Sequence, residues 1–223
     1  MTSVPNQTAR RLFAPIAPTY ERWARILSLG QDGRWRRVMV DGRSLPAGAR
    51  VLDVAAGTGS ISRLLQAKGH LVTAVDLSGE MLGRHPGPAR VQARAEMLPF
   101  EDDSFDALTF GYLLRYVDDP IACLAELSRV VVPGGAIGMV EFGLPAGVWK
   151  RPWELYAGRA LPFVSRLINP GWYEVGRFLR GSIEDFYRRF PDPTRMWHEA
   201  GLIEIKVRRL SLGGGLVMWA RKP

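Results

Sequence analysis

Two hydrophobic periods divide the 223-residue chain. Through residues 8–40 the apolar positions keep a helical spacing broken at Pro15, Pro18 and Gly30, with Phe13, Tyr20, Trp23 and Trp35 placed to pack or to cap something. After the turn SLPAGA the pattern changes to short apolar runs near 51–55, 71–76, 89–93, 105–110 and 136–141. Between them lie the helical stretches ISRLLQAKG and SGEMLGR, and a helix from Asp119 or Pro120 to about Val131 that stops at PGG. This alternation predicts an α/β protein with a doubly wound, parallel sheet. The last two runs, IEIKVRRLSL and GLVMWARK, read as strands joined through Gly213, Gly214 and Gly215, which brings the strands to seven. Such a C-terminal hairpin makes at least one strand antiparallel to the rest.

The stretch between the fifth strand and the hairpin, 142–202, is too long for a simple crossover and too rich in Trp, Tyr and Phe for a linker. It reads as a helical insertion covering one end of the sheet. The chain is thus expected to be one domain: an N-terminal helical lid (1–45), a core (46–141), the insertion (142–202) and the hairpin (203–223).

Composition narrows this picture without changing it. At 47% hydrophobic and 23% charged the chain is an ordinary globular protein. Its single cysteine, Cys123, lies in the apolar run IACLAELSRV; this excludes a disulfide framework and predicts a cytoplasmic, reducing setting. No run approaches 18 apolar residues, and MTSVPNQTARRLF lacks the apolar core of a signal peptide. The expectation is a soluble protein or one peripheral at the inner face of a membrane. The net charge of +8 sits in scattered pairs such as Arg10-Arg11, Arg36-Arg37 and Arg188-Arg189. With no nucleic-acid module signature beside them, these pairs argue for an anionic surface or ligand and against nucleic acid.

The candidate chemistry centres on VLDVAAGTGS, residues 51–60, where the first strand runs into small residues and a helix start. Small residues let a ligand approach the backbone, and the helix start offers free N–H groups. A pyrophosphate-binding turn is expected as G-x-G-x-x-G; here the spacing is Ala-x-Gly-x-Gly, with Asp53 just upstream. An acid there repels a pyrophosphate but accepts hydrogen bonds from an ammonium group, directly or through water. Asp76 closes the second strand, where a carboxylate receives the hydroxyls of a ribose. Ribose plus an amino-acid end, with no pyrophosphate, describes S-adenosylmethionine.

With these residues in place, the chain resembles the class I S-adenosylmethionine-dependent methyltransferases, and more narrowly the menaquinone/ubiquinone biosynthesis C-methyltransferases. FAPIAPTYERWARILSLGQDGRWRR is similar to that family's F-x-x-I-A-x-x-Y-D opening and S-L-G-x-D-x-x-W-R-R segment. AEMLPFEDDSFD, LSRVVVPGG, VEFGLP and LSLGGGLVMWARK also follow it. The resemblance implies a Rossmann-like sheet with Asp53, Ala55, Gly57 and Gly59 at the cofactor's methionine end and Asp76 on the ribose. It further implies Leu77 and Met81 flanking the adenine with Ala95 and Glu96 nearby, Phe110 at the end of the fourth strand, and Tyr20 closing from the lid over the methyl-transfer end.

Three segments depart from the family pattern. Gly-Asp-Ala-Glu appears as Ala93-Arg94-Ala95-Glu96, placing Arg94 where an acid is expected; F-G-L-R-N-V appears as Phe110 to Val117 with two extra residues, its Arg matched by Arg115 and its Asn replaced by Tyr116; and GWYEVGRFLRGSIEDF follows the family only in part.

Methyl transfer from a sulfonium is an in-line displacement that needs alignment in a dry site, and neither a metal nor an activated cysteine. A carbon acceptor must be electron-rich, as a quinol becomes on losing a hydroxyl proton. His70, His85 and His198 are poorly placed for that proton. Better placed are Tyr112, Arg115 and Tyr116 after the fourth strand, Glu141 after the fifth, and Tyr20; Arg115 and Tyr116 are expected to orient the acceptor. In the insertion, Trp149, Trp153, Tyr156, Phe163, Trp172, Tyr173 and Phe178 suit an aromatic ring with a lipid tail, and Lys150, Arg151, Arg159, Arg166 and Arg177 suit anionic headgroups. The expected acceptor is a prenylated quinol such as demethylmenaquinol, with a soluble aromatic or other secondary metabolite methylated on O, N or C as the alternative. Oligomeric state is left open, a homodimer included.

Overall fold

β1 (Arg50–Val54), the strand that ends at the glycine turn, lies third from one edge of a seven-stranded sheet in a computed structural model that describes residues 4–223. The first three residues of the expected N-terminal stretch 1–45 lie outside the described residues. On one side of β1 are β2 (Leu71–Asp76) and β3 (Arg90–Gln92); on the other are β4 (Phe105–Gly111), β5 (Val131–Phe142), β7 (Gly215–Arg221) and β6 (Ile203–Leu210). The order is β3-β2-β1-β4-β5-β7-β6, parallel except for β7, which runs antiparallel to both neighbours. Strand order reverses between β1 and β4, so ligand space opens at the carboxyl ends of β1, β2 and β4. The expected sheet and hairpin are both present.

The period-2 alternation of β1 sorts its side chains between two helical layers. Val51 faces α3 (Gln31–Asp41) and α4 (Ser60–Gln66), where Trp35, Met39, Ile61 and Leu65 pack with Val140 and Val217. Leu52 and Val54 face the opposite layer, where Leu108 and Phe110 of β4 meet α6 (Pro120–Arg129), α9 (Pro170–Arg189) and α10 (Pro193–Glu199). Trp197 of α10 is fully buried there and stacks on Phe110, with ring centroids 6.1 Å apart. The start of α6 follows capping chemistry: Asp119 accepts from the N–H groups of Ile121 and Ala122 at 2.9 and 3.0 Å, with Pro120 in the first turn.

One boundary differs from the sequence expectation. The helix stops at Arg129 and β5 begins at Val131, so PGG lies inside the strand. Gly134 has φ +74, and a Cβ on Gly135 would stand 2.4 Å from Val131 and 2.9 Å from the Asp106 carbonyl oxygen. PGG is therefore a bulge that shifts the β4–β5 register between Phe105 and Ala107, not a helix stop.

The N-terminal stretch forms α1 (Val4–Phe13), a 3-10 segment (Ala14–Thr19), α2 (Tyr20–Leu27) and α3. The segment 142–202 is helical as expected: α7 (Lys150–Leu155) runs through a π turn into α8 (Leu161–Ile168), followed by α9 and α10. Its aromatic side chains hold the N-terminal helices. Trp172 Nε1 donates to Thr19 Oγ1 at 3.0 Å, and the Tyr156 hydroxyl donates to the Leu27 carbonyl. Among the described residues, no helix is long and apolar enough to cross a membrane.

Because Trp197 anchors the α10 layer with no exposed surface, Trp197→Ala is expected to lower stability by about 3–5 kcal/mol. Urea unfolding followed by circular dichroism checks this; a loss under about 1 kcal/mol contradicts the packing role.

Candidate active site

After Val54 the chain turns through Ala55, Ala56, Gly57, Thr58 and Gly59 into α4. Ala55, Gly57 and Gly59 have φ values of 53, 57 and 87. The Ala56 N–H donates to the Val75 carbonyl at 3.0 Å, which holds the turn against β2. Gly59 cannot carry a side chain: a Cβ would come within 2.8 Å of both His85 and Pro86. At Gly57 a Cβ would meet only the tip of Met81, at 3.2 Å, so its bare backbone faces open space.

Asp76, at the end of β2, is fixed before any ligand arrives. Oδ2 accepts from the Gly57 N–H and Oδ1 from the N–H of Ser78, just ahead of α5 (Gly79–Leu82), each at 2.8 Å. Burial raises its pKa, and these backbone bonds oppose the rise.

A cleft partly open to solvent extends from this pair. Its sheet side carries Ala55, Gly57, Thr58, Asp76, Leu77, Met81 and Ala95. Its roof carries Asn6, Arg10, Phe13, Tyr20 and Arg36, and its far end Tyr112 and Tyr116. Of the residues expected for a cofactor, Ala55, Gly57, Asp76, Leu77, Met81 and Ala95 are brought together here. The small residues, the bare backbone at Gly57 and the carboxylate fit an adenosyl group with an amino-acid end.

Several expected residues lie elsewhere, each for a local reason. Asp53 is fully buried behind the turn, because alternation points it with Val51 toward the α4 layer. There Oδ2 accepts from the Ser62 hydroxyl at 2.5 Å and Oδ1 from that of Thr109 at 3.1 Å. Desolvation raises its pKa to about 6 against these bonds. Gly59 packs beneath the turn, and Phe110 belongs to the core against Trp197. Glu96 stands behind the cleft, accepting from the Asn6 amide at 2.6 Å.

Arg115 and Glu141 form a buried ion pair, Nε to Oε1 at 3.1 Å, and Arg115 also donates to Ser182 Oγ of α9 at 2.6 Å. Neither reaches the cleft. Arg115 instead lies over the Tyr116 ring at 5.0 Å and backs that residue. Burial raises the Glu141 pKa, and the facing guanidinium pulls it down.

The insertion aromatics likewise do not wall the cleft. Trp172 is buried behind Tyr20, the two rings stacked at 6.2 Å. Trp153 packs on the core, Tyr156 reaches Leu27, and Tyr173 lies under Arg177. Trp149 and Phe163 are exposed, while Phe178 stacks on Tyr116 at 5.9 Å.

Sequence reasoning missed a cluster at the roof. Arg36, 6% exposed, donates from Nε to both oxygens of Asp32 at 2.9 and 3.0 Å. The Tyr112 hydroxyl donates to Asp32 Oδ1 at 2.5 Å, and the guanidinium lies over the Tyr112 ring at 5.1 Å. The only trace in the sequence is an i, i+4 acid–base pair in SLGQDGRWRR, a spacing shared by ordinary solvated pairs. Burial pushes Tyr20 up to about 12 and also raises Tyr112 and Tyr116. At neutral pH these three phenols are therefore hydrogen-bond donors and not bases.

Across residues 1–222 the chain matches the ubiE/COQ5 methyltransferase family. It is 38% identical to the demethylmenaquinone methyltransferase of Paenarthrobacter aurescens, covering 98% of this chain and 87% of that one. The demethylmenaquinone methyltransferase of Thermus thermophilus is 34% identical, with 95% and 100% covered. A SAM-dependent methyltransferase from Thermotoga maritima has the same fold, with a TM-score of 0.67, 21% identity, and 96% and 99% covered.

The buried Asp53 makes a pH-dependent contribution to stability. Its pKa is raised on folding, so this contribution is fully present below the unfolded value and is lost as pH rises through about 6. Asp53→Asn removes the ionisation, and its stability relative to the unmodified protein should grow by about 1 kcal/mol between pH 5 and pH 7.5. Urea midpoints at the two pH values measure this; a constant difference contradicts the raised pKa.

Proposed function

Because the chain belongs to the ubiE/COQ5 methyltransferase family and so is an S-adenosylmethionine-dependent methyltransferase, we propose that its acceptor is a prenylated quinol such as demethylmenaquinol, methylated on carbon. The curated relatives named demethylmenaquinone methyltransferase, matched over nearly the whole chain, support the substrate class. The observation that carries the reading is the cleft itself: a cradle of small residues and a carboxylate at one end and two neutral phenols at the other, under a roof that adds Tyr20.

In this reading Asp76 receives the ribose hydroxyls, Leu77, Met81 and Ala95 enclose the adenine, and the bare backbone of Ala55 and Gly57 admits the amino-acid end. The bound cofactor supplies an electrophilic methyl group on a sulfonium. The chain's task is to exclude water and orient the acceptor carbon on the line of that bond. Tyr20 and Tyr116, held protonated by burial, donate to the acceptor oxygen as it gains phenolate character, while the one proton of Tyr112 is held by Asp32. Arg115 acts through Tyr116: its pair with Glu141 and its bond to Ser182 fix the ring from behind. The N-terminal helices serve as a lid over the core, and 142–202 serves as its brace.

A lipid acceptor must leave a bilayer, and the outer face of α7–α8 suits that surface. Val148, Leu155, Phe163 and Leu167 are 81, 57, 67 and 73% exposed. The exposed Arg151, Arg159 and Arg166 are interleaved with them, and the Tyr156–Leu27 bond joins this face to exposed Ile26 and Leu29 beside Arg22 and Arg25. Apolar residues set among arginines suit peripheral attachment to anionic lipid.

Labelled S-adenosylmethionine should transfer its methyl to demethylmenaquinol recovered in the organic phase. Label appearing only on soluble phenols contradicts the acceptor class. Asp76→Ala should weaken S-adenosylhomocysteine binding in calorimetry by about tenfold or more, since hydrogen bonds to a charged group contribute about 1.5–3 kcal/mol. Flotation with anionic vesicles tests the outer face: Phe163→Ser with Leu167→Ser should reduce vesicle binding by about tenfold or more. Equal flotation of both proteins would remove the membrane reading.

A further inference from the structure

We infer that Tyr112 receives the proton of the acceptor hydroxyl while handing its own to Asp32, an assignment that rests on the quinol reading and gives that proton a way out of the cleft. Tyr112 lines the cleft and Asp32 does not; Asp32 lines a second opening, between α2, α3 and α4, and Tyr112 does not. The 2.5 Å bond from the Tyr112 hydroxyl to Asp32 Oδ1 therefore crosses the wall between a site that must stay dry and an opening to solvent. The Asp32 side chain is 15% exposed.

A neutral phenol takes up a proton only as it gives one away. Tyr20 and Tyr116 are bonded to the guanidinium groups of Arg36 and Arg115, which have no lone pair to receive one. Tyr112 gives to an anion, at the distance of a charge-assisted bond, and its oxygen keeps a lone pair for the acceptor hydroxyl.

The backbone points the same way. Tyr112 has φ +56, a region that a residue with a side chain holds only where its surroundings over-determine it. The bond to Asp32, the Phe142 ring at 4.7 Å and the Arg36 guanidinium at 5.1 Å do so here. Tyr112 also falls in the segment Phe110 to Val117, two residues longer than the family pattern, so the pattern does not supply this hydroxyl.

The step balances without a further reagent. The acceptor O–H bond breaks and its proton joins Tyr112 Oη as the Tyr112 proton passes to Asp32 Oδ1. The electron pair left on the acceptor oxygen is shared with the ring carbon that takes the methyl group. Tyr112 is neutral before and after, and Asp32 returns its proton to water through the second opening. A carboxylate is a weaker base than a phenolate by about six pKa units, yet a transfer uphill by that much still runs at about 10⁶ s⁻¹, far above an ordinary turnover of about 10 s⁻¹. The charged and titratable groups facing the pair are Arg36 and Tyr20, with Glu21 and five further arginines around the opening. Arg36 and Tyr20 keep their charge states between pH 7 and pH 9.

Single-turnover methyl transfer to demethylmenaquinol over that pH range tests the relay. With the proton taken by the chain, the rate of the unmodified protein should vary by less than about threefold. Tyr112→Phe keeps the ring and removes only the hydroxyl; it should be about 10²-fold slower at pH 7 and gain about tenfold per pH unit, because the acceptor must then ionise into solvent. Asp32→Asn should show the same rise with pH. Should that variant fail to fold with Arg36 unpaired, the profiles of the unmodified protein and Y112F still decide. A binding measurement needs no turnover: with S-adenosylhomocysteine present, the unmodified protein should bind 1-naphthol about three- to tenfold more tightly than 1-methoxynaphthalene, and Y112F should bind the two alike.

A rate that rises tenfold per pH unit in the unmodified protein overturns the assignment. So does a Y112F loss that is the same at every pH, the mark of a hydroxyl that only holds the loop. A quinol left unmethylated by unmodified protein that still binds S-adenosylhomocysteine overturns the acceptor reading and this assignment with it, whereas methylation with an unchanged Y112F overturns this assignment alone.

Discussion

A single carboxylate joins the two strands on which the site depends. Asp76 ends β2, and its two oxygens take the N–H groups of Gly57 and Ser78. One bond reaches across to the turn after β1, and the other caps the start of the chain that carries Met81. A carboxylate withdrawn this far from water is stable because each oxygen accepts a backbone N–H, and the two bonds hold the two loops at a fixed separation. The positive φ at Ala55 is sustained in the same way, since a non-glycine residue in that region persists only where its surroundings over-determine it. The cradle is therefore preorganised, and a ligand need not supply the ordering of these loops on arrival.

The fold was legible because its evidence is periodic. Runs of four to eight apolar residues alternating with helical stretches leave few topologies, and the glycines before β7 announce the hairpin. The PGG bulge was not legible, since the same residues end helices and bend strands, and only the packing of Gly135 against Val131 and the Asp106 carbonyl decides between them. The lining of the cleft was legible where backbone makes it, at Ala55, Gly57 and Asp76. It failed where side-chain direction makes it. Asp53 stands beside the turn in sequence and Phe110 beside it in strand register, yet strand alternation points one behind the turn and the other into the core. Arg36 and Asp32 looked like a solvated helical pair, and their burial is a tertiary fact supplied by the layers around them.

The insertion shows the same lesson on a larger scale. Its aromatic content suggests walls for a ligand, but Trp172, Phe178 and Ser182 stand one layer back, supporting Tyr20, Tyr116 and Arg115. The buried Arg115–Glu141 pair belongs to this support. Desolvating two charges offsets much of their attraction, so such a pair contributes little net stability while making departures from one geometry costly. A chain that relies on alignment to transfer a group gains from such rigidity.

The two bonds that run from the insertion to the N-terminal helices, Trp172 to Thr19 and Tyr156 to Leu27, make the cleft roof and the outer α7–α8 face parts of one body. A surface that bound the docked arrangement of these helices more tightly than an opened one would tighten the hold on whatever lies beneath the roof, and a ligand in the cleft with the same preference would return that free energy to the surface contact.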